Sequence, residues 1–119
     1  MTDKFWGHHL LIDAKAGDMK SITDPDHIKE FVKVLVDKID MVAFGPTQVV
    51  HFGEDDLAGL TMLQLIHTSC ISAHFNDCSG DFYLDIFSCR TFDIKIAEQV
   101  VREFFNPEHM RINFLTRQA

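Results

Sequence analysis

The chain has 119 residues, of which 18 are acidic and 11 are basic, so its formal net charge is −7 at pH 7. This length suits one domain, residues 1–119, with a hydrophobic core. The acidic balance and the lack of a concentrated Lys and Arg patch argue against nucleic acid and membranes as partners. We expect a cytoplasmic protein, because MTDKFWGHH lacks a signal region and no apolar run approaches the roughly 18 residues of a membrane span.

Two amphipathic helices are predicted among a series of strands. The first has Asp24 as its N-cap and Pro25 at its first position, and its apolar residues recur every three to four positions. The second runs from about Asp93 to Phe105 and stops before Pro107. Segments rich in β-branched and aromatic residues predict six strands: Phe5 to Lys15, Thr47 to Phe52, Leu60 to His67, Ile71 to Phe75, Phe82 to Cys89 and Met110 to Thr116. Gly45-Pro46 between them is predicted to be a plain turn.

These elements predict an α+β fold, an antiparallel β-sheet with the two helices covering one face. In the strand Phe82 to Cys89, both alternating sets of side chains contain large apolar residues, so neither set is a purely solvent-facing one. Two helices are too few to cover both faces of the sheet. We therefore expect the open face to be covered by a second copy in a homodimer.

The most specific pattern lies in the stretch HTSCISAHFNDCSGDFYLDIFSC. Ser69 is followed five positions later by His74 and twenty positions later by Cys89. In this order and spacing, the segment resembles the prokaryotic S-adenosylmethionine decarboxylase family. GHHLLID near the N-terminus, TDPDHIKEFV and the ending AEQVVREFFNPEHMRINFLTR also look like this family, so the resemblance covers nearly the whole chain. It implies that family's layered sandwich fold and a dimer with active sites near the subunit boundary.

The resemblance implies a self-cleaving zymogen whose cofactor is a pyruvoyl group made from Ser69. Cleavage between Thr68 and Ser69 would give a β-chain of residues 1–68 and an α-chain of residues 69–119. By the same resemblance, His74 takes the Ser69 α-proton during processing. The substrate amine then forms a Schiff base with the pyruvoyl group, and Cys89 protonates the carbanion left by decarboxylation. The implied activity is a carboxy-lyase reaction on S-adenosyl-L-methionine in polyamine (spermidine) biosynthesis.

An offset of five residues carries a geometric condition. Successive residues of a strand point to opposite faces, so an unbroken strand would separate Ser69 from His74. The sequence therefore predicts a turn or bulge between these two residues.

Several positions depart from the family pattern. The family usually has Glu before the cleaved serine and His after it, where this chain has Thr68 and Cys70. The Gly-Val-Ser-Gly turn is replaced by a segment in which Thr61 takes the place of the Ser, and Asp55 falls where an adenine-stacking Phe is expected. The ribose-holding Glu of Thr-Trp-Pro-Glu is also missing, since Phe75-Asn76-Asp77-Cys78 stands there.

These departures leave the substrate open. We predict that Phe52, Asp55, Asp56 and Thr61 contact the substrate. The acidic run Glu54-Asp55-Asp56 is either a solvated turn or a partner for a distal ammonium or guanidinium, as in pyruvoyl-dependent ornithine or arginine decarboxylases on the same scaffold. Thr68 and Cys70 also leave open an unprocessed, non-catalytic homologue that binds or regulates a partner. No metal site is predicted, because the seven His residues form no compact ligand pattern.

Overall fold

The fold is a six-stranded sheet with helices packed on one face. The computed structural model describes residues 5–119, so the first four residues of the N-terminal segment lie outside it. The strands are β1 (Gly7–Lys15), β2 (Ala43–Phe52), β3 (Gly59–Ile66), β4 (Ser69–Phe75), β5 (Phe82–Ser88) and β6 (His109–Arg117). The helices are α1 (Met19–Ile22), α2 (Pro25–Lys38) and α3 (Ile94–Phe105), and a 3-10 turn spans Asp55–Leu57.

The strands are ordered β2-β3-β4-β5-β1-β6, and each neighbouring pair is antiparallel. This arrangement confirms the predicted α+β class with an antiparallel sheet. It has one helix more than expected, the four-residue α1. None of the helices within residues 5–119 is long and apolar enough to cross a membrane.

The two long helices begin at the predicted caps. The Asp24 carboxylate accepts hydrogen bonds from the Asp26 and His27 amides, and the Asp93 carboxylate accepts from those of Lys95 and Ile96. Each cap satisfies amide groups that have no partner inside the helix. Both helices therefore start where a short acidic side chain can bind their free N–H groups.

The core lies between the helices and one face of the sheet. Phe105 of α3 packs its ring against Phe31 of α2, Phe75 of β4 and Phe82 of β5, at centroid separations of 4.7 to 5.2 Å. Alternate residues of β1, β3, β4 and β5 complete this layer and are almost fully buried. The aromatic contacts fix α3 across the middle of the sheet.

The other face of the sheet, called the open face below, carries no helix and is rich in exposed apolar side chains. Seven of these residues are between 47% and 62% exposed: Phe44, Val50, Phe52, Leu63, Leu65, Tyr83 and Leu115. The prediction of an uncovered apolar face is confirmed.

Gly45-Pro46 is not a turn, so that prediction was wrong. Both residues lie inside β2, where the register to β3 shifts between Phe44 and Gln48. An edge strand with a bulge tolerates proline, because the missing N–H need not join the ladder. Gly45 has a φ of +76°, a conformation that favours glycine.

Candidate active site

The Thr68–Ser69 peptide lies at the end of a tight hairpin. β3 ends at Ile66, two residues form the turn, and β4 begins at Ser69, which pairs with Ile66 on one side and Ser88 on the other. The Thr68 hydroxyl accepts a hydrogen bond from the buried Ser88 hydroxyl at 2.8 Å. This peptide is therefore held on both sides by the sheet.

Cys89 is next to that peptide. Its backbone N–H donates to the Thr68 carbonyl oxygen with an N to O distance of 3.0 Å. The Cys89 side chain is exposed and carries a free thiol. The structure thus brings together Thr68, Ser69 and Cys89, although they are twenty residues apart in sequence.

His74 lies elsewhere on the same strand. β4 is unbroken from Ser69 to Phe75, and its register to β3 and β5 contains no shift. The predicted turn or bulge between Ser69 and His74 was therefore wrong. Five residues of strand separate their Cα atoms by about 16 Å, and the alternation places Ser69 on the helix-covered side and His74 on the open face.

A second group of predicted site residues surrounds His74. Thr61 pairs with His74 across β3 and β4, and its hydroxyl lies 3.2 Å from the imidazole Nδ1. Phe52 ends β2 on the open face, and Asp55 and Asp56 follow in the exposed 3-10 turn. Asn76, two residues beyond His74, donates to the Asp56 carbonyl oxygen at 2.7 Å and so ties this turn to β4.

One chain therefore carries two groups of predicted site residues at opposite ends of β4, called half-sites below. The cleavage half-site consists of Thr68, Ser69 and Cys89, and the histidine half-site consists of Thr61 and His74 with Phe52, Asp55 and Asp56 nearby. Within residues 5–119, no three His, Cys, Asp or Glu side chains are grouped as a metal-ion site.

Residues 8–118 match the S-adenosylmethionine decarboxylase family. The chain belongs to this family. The crystal structure of an adenosylmethionine decarboxylase from Aquifex aeolicus VF5 matches with a TM-score of 0.81 and 22% sequence identity, covering 98% of this chain and 94% of that one. No curated protein sequence matches the chain.

In this member of the S-adenosylmethionine decarboxylase family, a cleft with aromatic walls lies at the end of the sheet where β5 ends, and the sequence did not predict it. Trp6 stacks on Phe87 at 5.8 Å between ring centroids, and the Arg117 guanidinium lies 5.2 Å from the Phe87 centroid. The cleft between them measures about 460 Å³. The alternation of β5 placed Phe87 on the face of Cys89, but nothing in the sequence showed that Trp6 and Arg117 would meet there.

The hydrogen bonds of Thr61 and Ser88 indicate roles that the sequence did not predict. Thr61 was predicted to contact substrate, yet its hydroxyl is within hydrogen-bonding distance of the His74 imidazole. Ser88 was not considered, although its hydroxyl donates to Thr68 and accepts from the Arg90 amide. The two-residue alternation along β3 and β5 predicts the face on which each of these residues lies, but only the strand order shows which strands are adjacent.

Proposed function

We propose that the protein is a self-processing, pyruvoyl-dependent decarboxylase of S-adenosylmethionine in polyamine (spermidine) biosynthesis. The observation that carries this proposal is the hydrogen bond of 3.0 Å from the Cys89 N–H to the Thr68 carbonyl. A serine follows that carbonyl, and a thiol lies on the residue that polarises it. Together with family membership over residues 8–118, this geometry favours cleavage at Thr68–Ser69.

The chain's own residues account for the first steps of processing. Attack of Ser69 Oγ on the Thr68 carbonyl carbon forms a C–O bond and moves negative charge onto the carbonyl oxygen. The Cys89 N–H already points at that oxygen and stabilises the charge as it develops. Breaking the C–N bond converts the peptide into an ester and frees the Ser69 nitrogen.

Removal of the Ser69 α-proton then expels the Thr68 carboxylate and leaves a dehydroalanine at position 69. Hydrolysis of that residue releases ammonia. His74 is the proposed base for the α-proton, because a neutral imidazole accepts protons near pH 7. The products are the β-chain, residues 1–68, and the α-chain, residues 69–119.

Residue 69 and its neighbours fit a self-derived pyruvoyl group. Residue 69 is the first residue of β4 and is partly exposed, and the exposed Cys89 thiol belongs to the end of the neighbouring strand, so a substrate amine has access to it. A pyruvoyl group supplies an electron sink for decarboxylation of an amine-linked substrate. Cys89 is the proposed proton donor to the substrate carbon, because its free thiol carries a transferable proton and is exposed beside the Thr68–Ser69 peptide.

We propose that a second copy of the chain completes the site. The His74 imidazole must reach the Ser69 α-proton, but about 16 Å of strand separates these residues within one chain. The histidine half-site lies at one end of the open face, and Ser69 and Cys89 lie at the other end of the same stretch of sheet, where β4 begins and β5 ends. A two-fold axis through that face would bring the histidine half-site of one copy to the cleavage half-site of the other.

S-adenosylmethionine is the proposed substrate because of the aromatic cleft. Trp6 and Phe87 offer stacking surface for a purine on the face that carries Cys89. This surface compensates for the Phe that Asp55 replaces. Phe75 cannot take that role, because it is only 3% exposed and packs in the core.

A basic amino acid is the second candidate substrate. Asp55 and Asp56 are exposed and adjoin the histidine half-site. In the proposed dimer they would face the partner's residue 69. Carboxylates at that place would bind the distal cation of ornithine or arginine.

The mass of the purified protein tests the proposed processing. We expect two fragments, 1–68 and 69–119, with a carbonyl-reactive N-terminus on the second. Ser69→Ala should give only intact chain, because no Oγ remains to attack. An intact wild-type chain would overturn the proposal and favour the non-catalytic homologue. Carbon dioxide release from S-adenosylmethionine, ornithine and arginine then identifies the substrate.

A further inference from the structure

Cys70 and Cys89 lie on adjacent strands at the same end of the sheet. Cys70 is the second residue of β4 and pairs with Phe87, while Cys89 directly follows the last residue of β5. The Cys89 N–H bond to the Thr68 carbonyl extends the pairing of β5 with β4 by one residue, so the two-residue alternation puts Cys89 on the face of Phe87 and therefore of Cys70. Both thiols are free and exposed. The strand register thus places two accessible thiols at diagonal positions on the open face.

The separation of the two residues is close to that of a disulfide. Diagonal neighbours on paired strands lie about 7–8 Å apart between Cα atoms, with their Cβ atoms closer. Disulfides span Cα separations of up to about 6.8 Å. A shift of about 1 Å closes this difference, and Cys89 lies in a bend just beyond β5.

We propose that Cys70 and Cys89 are a redox pair that forms a reversible disulfide on reaction with a hydroperoxide. The Cys89 thiolate attacks the peroxide oxygen, breaks the O–O bond and becomes a sulfenic acid, while the peroxide leaves as water or an alcohol. The Cys70 thiolate then attacks the Cys89 sulfur and displaces hydroxide, which takes up a proton to form water. Two thiols lose two electrons, and the peroxide gains them.

The hydroperoxide has access to this pair. It is smaller than any amino-acid substrate, so a site that admits substrate to residue 69 also admits hydrogen peroxide. The disulfide would remove the thiol that we assign to protonation of the substrate carbon. This consequence for activity rests on the proposed function, whereas formation of the disulfide does not.

Cys78 provides a matched control within the chain. It is also a free, exposed thiol, but it lies in the loop beyond the far end of β4. About 16 Å of strand separates Cys70 from the end of β4, and Cys78 lies three residues beyond that end. Its amide donates to the Asn76 side chain at 2.8 Å, so its loop is anchored at that end. A general reactivity of exposed thiols would modify Cys78 as readily as the other two.

The test is oxidation of the fully reduced protein with hydrogen peroxide, followed by intact mass and peptide mapping without reductant. We expect a loss of two hydrogen atoms, a peptide linking Cys70 to Cys89, and full reversal by dithiothreitol. Both cysteines fall within residues 69–119, so this result does not depend on whether the chain is cleaved. A protein that forms the disulfide but shows no processing or decarboxylation would overturn the proposed function alone.

Two variants sharpen the result. Cys70→Ser should lose the linked peptide, and Cys89 should proceed to the sulfinic acid, which dithiothreitol does not reverse. Cys78→Ser should form the disulfide as the wild type does. A linked peptide that contains Cys78, a disulfide between two chains, or sulfinic acid at Cys89 in the wild type as fast as in Cys70→Ser would overturn the proposal. Peptide mapping of the wild type shows whether Cys70 and Cys89 form the disulfide, even if a variant does not fold.

Discussion

At the scale of single residues, Thr61 positions the imidazole of His74. A neutral imidazole has one protonated and one unprotonated nitrogen, and only the unprotonated nitrogen accepts a proton. The Thr61 hydroxyl, 3.2 Å from Nδ1, favours one arrangement of the ring. If His74 removes the Ser69 α-proton, this contact orients the base.

We expect Thr61→Val to slow self-cleavage. Valine keeps the β-branched shape that suits a strand but has no hydroxyl, so the change isolates the hydrogen bond. Such a bond contributes about 0.5–1.5 kcal/mol, which corresponds to a rate about 2- to 12-fold lower. The measurement is the appearance of the 1–68 fragment with time. Thr61→Ser should restore the wild-type rate, and equal rates in Thr61→Val and the wild type would show that the contact does not matter.

Asp55 tests the choice of substrate. Its φ of +54° is a conformation that Asn also tolerates, so Asp55→Asn removes charge without straining the turn. If the substrate is a basic amino acid, this variant should raise its KM more than it lowers kcat, because the ion pair binds the distal cation away from the reacting carbon. Glu30→Gln, an exposed change on α2 of the helix side, controls for net charge.

Turnover of S-adenosylmethionine without activity on ornithine or arginine would give the opposite answer. In that case Asp55→Asn should leave the kinetics unchanged. The acidic turn would then be a solvated surface feature, and Trp6 with Phe87 would be the stacking site.

At the scale of elements, the close approach of Gly59 to β4 shapes the histidine half-site. A Cβ atom at Gly59 would lie 1.7 Å from the Phe75 carbonyl oxygen and 2.8 Å from its carbon. Those atoms belong to the backbone next to His74. The start of β3, and with it Thr61, can pair with β4 only when residue 59 has no side chain.

We therefore expect Gly59→Ala to destabilise the protein strongly, by about 3 kcal/mol, because backbone atoms must move apart. Thermal unfolding should show a Tm lower by about 10 °C. Gly45→Ala is the matched control: a Cβ there meets no atom within 4 Å, and the only penalty is its positive φ of +76°, at about 1–2 kcal/mol. Equal losses in the two variants would contradict the steric explanation.

Most elements could be predicted because local signals specify them. An Asp N-cap marks the start of each long helix, and alternating side chains mark the strand from Phe82 to Cys89. Both signals depend on only a few neighbouring residues, and both elements formed where they were predicted. The interior position of Gly45-Pro46 could not be predicted, since a bulge depends on the neighbouring strand. The sequence predicted that an unbroken strand would put Ser69 and His74 on opposite faces of the sheet. It could not predict the proposed contact between Ser69 of one chain and His74 of another. The predicted bulge is absent, and β4 is paired with both neighbouring strands without a register shift.

At the scale of the whole molecule, the open face is the feature that a second copy would cover. Leu65 lies on this face in the row of Cys70 and Phe87, near one end of the sheet, and is 56% exposed. We expect Leu65→Asp to leave the protomer folded but monomeric, because a charge placed in an apolar interface has no partner. Light scattering at micromolar concentration measures the change. Met19→Asp, an exposed apolar position on the helix side, should remain dimeric. A wild-type protein that is monomeric at that concentration would refute the dimer.

The proposed shared site can be tested by asking whose histidine acts. Cleavage that uses a chain's own His74 gives a different result from cleavage that uses the partner's His74 when two variants are mixed. Ser69→Ala lacks the attacking hydroxyl and His74→Ala lacks the base, so neither chain should be cleaved when it is expressed alone. When the two chains are expressed together with different tags, a mixed dimer pairs the intact Ser69 of the His74→Ala chain with the intact His74 of the Ser69→Ala chain.

Only the His74→Ala chain should then be cleaved, and at equal expression about half of its copies should be, since random pairing places half of them in mixed dimers. Mass spectrometry of the two tagged chains measures this directly. No cleavage of either chain in the mixture would mean that each His74 acts within its own chain. In that case His74 and Ser69 of one chain, about 16 Å apart along β4, would have to approach each other during processing. The pairing of β4 to β3 and β5 opposes such a change.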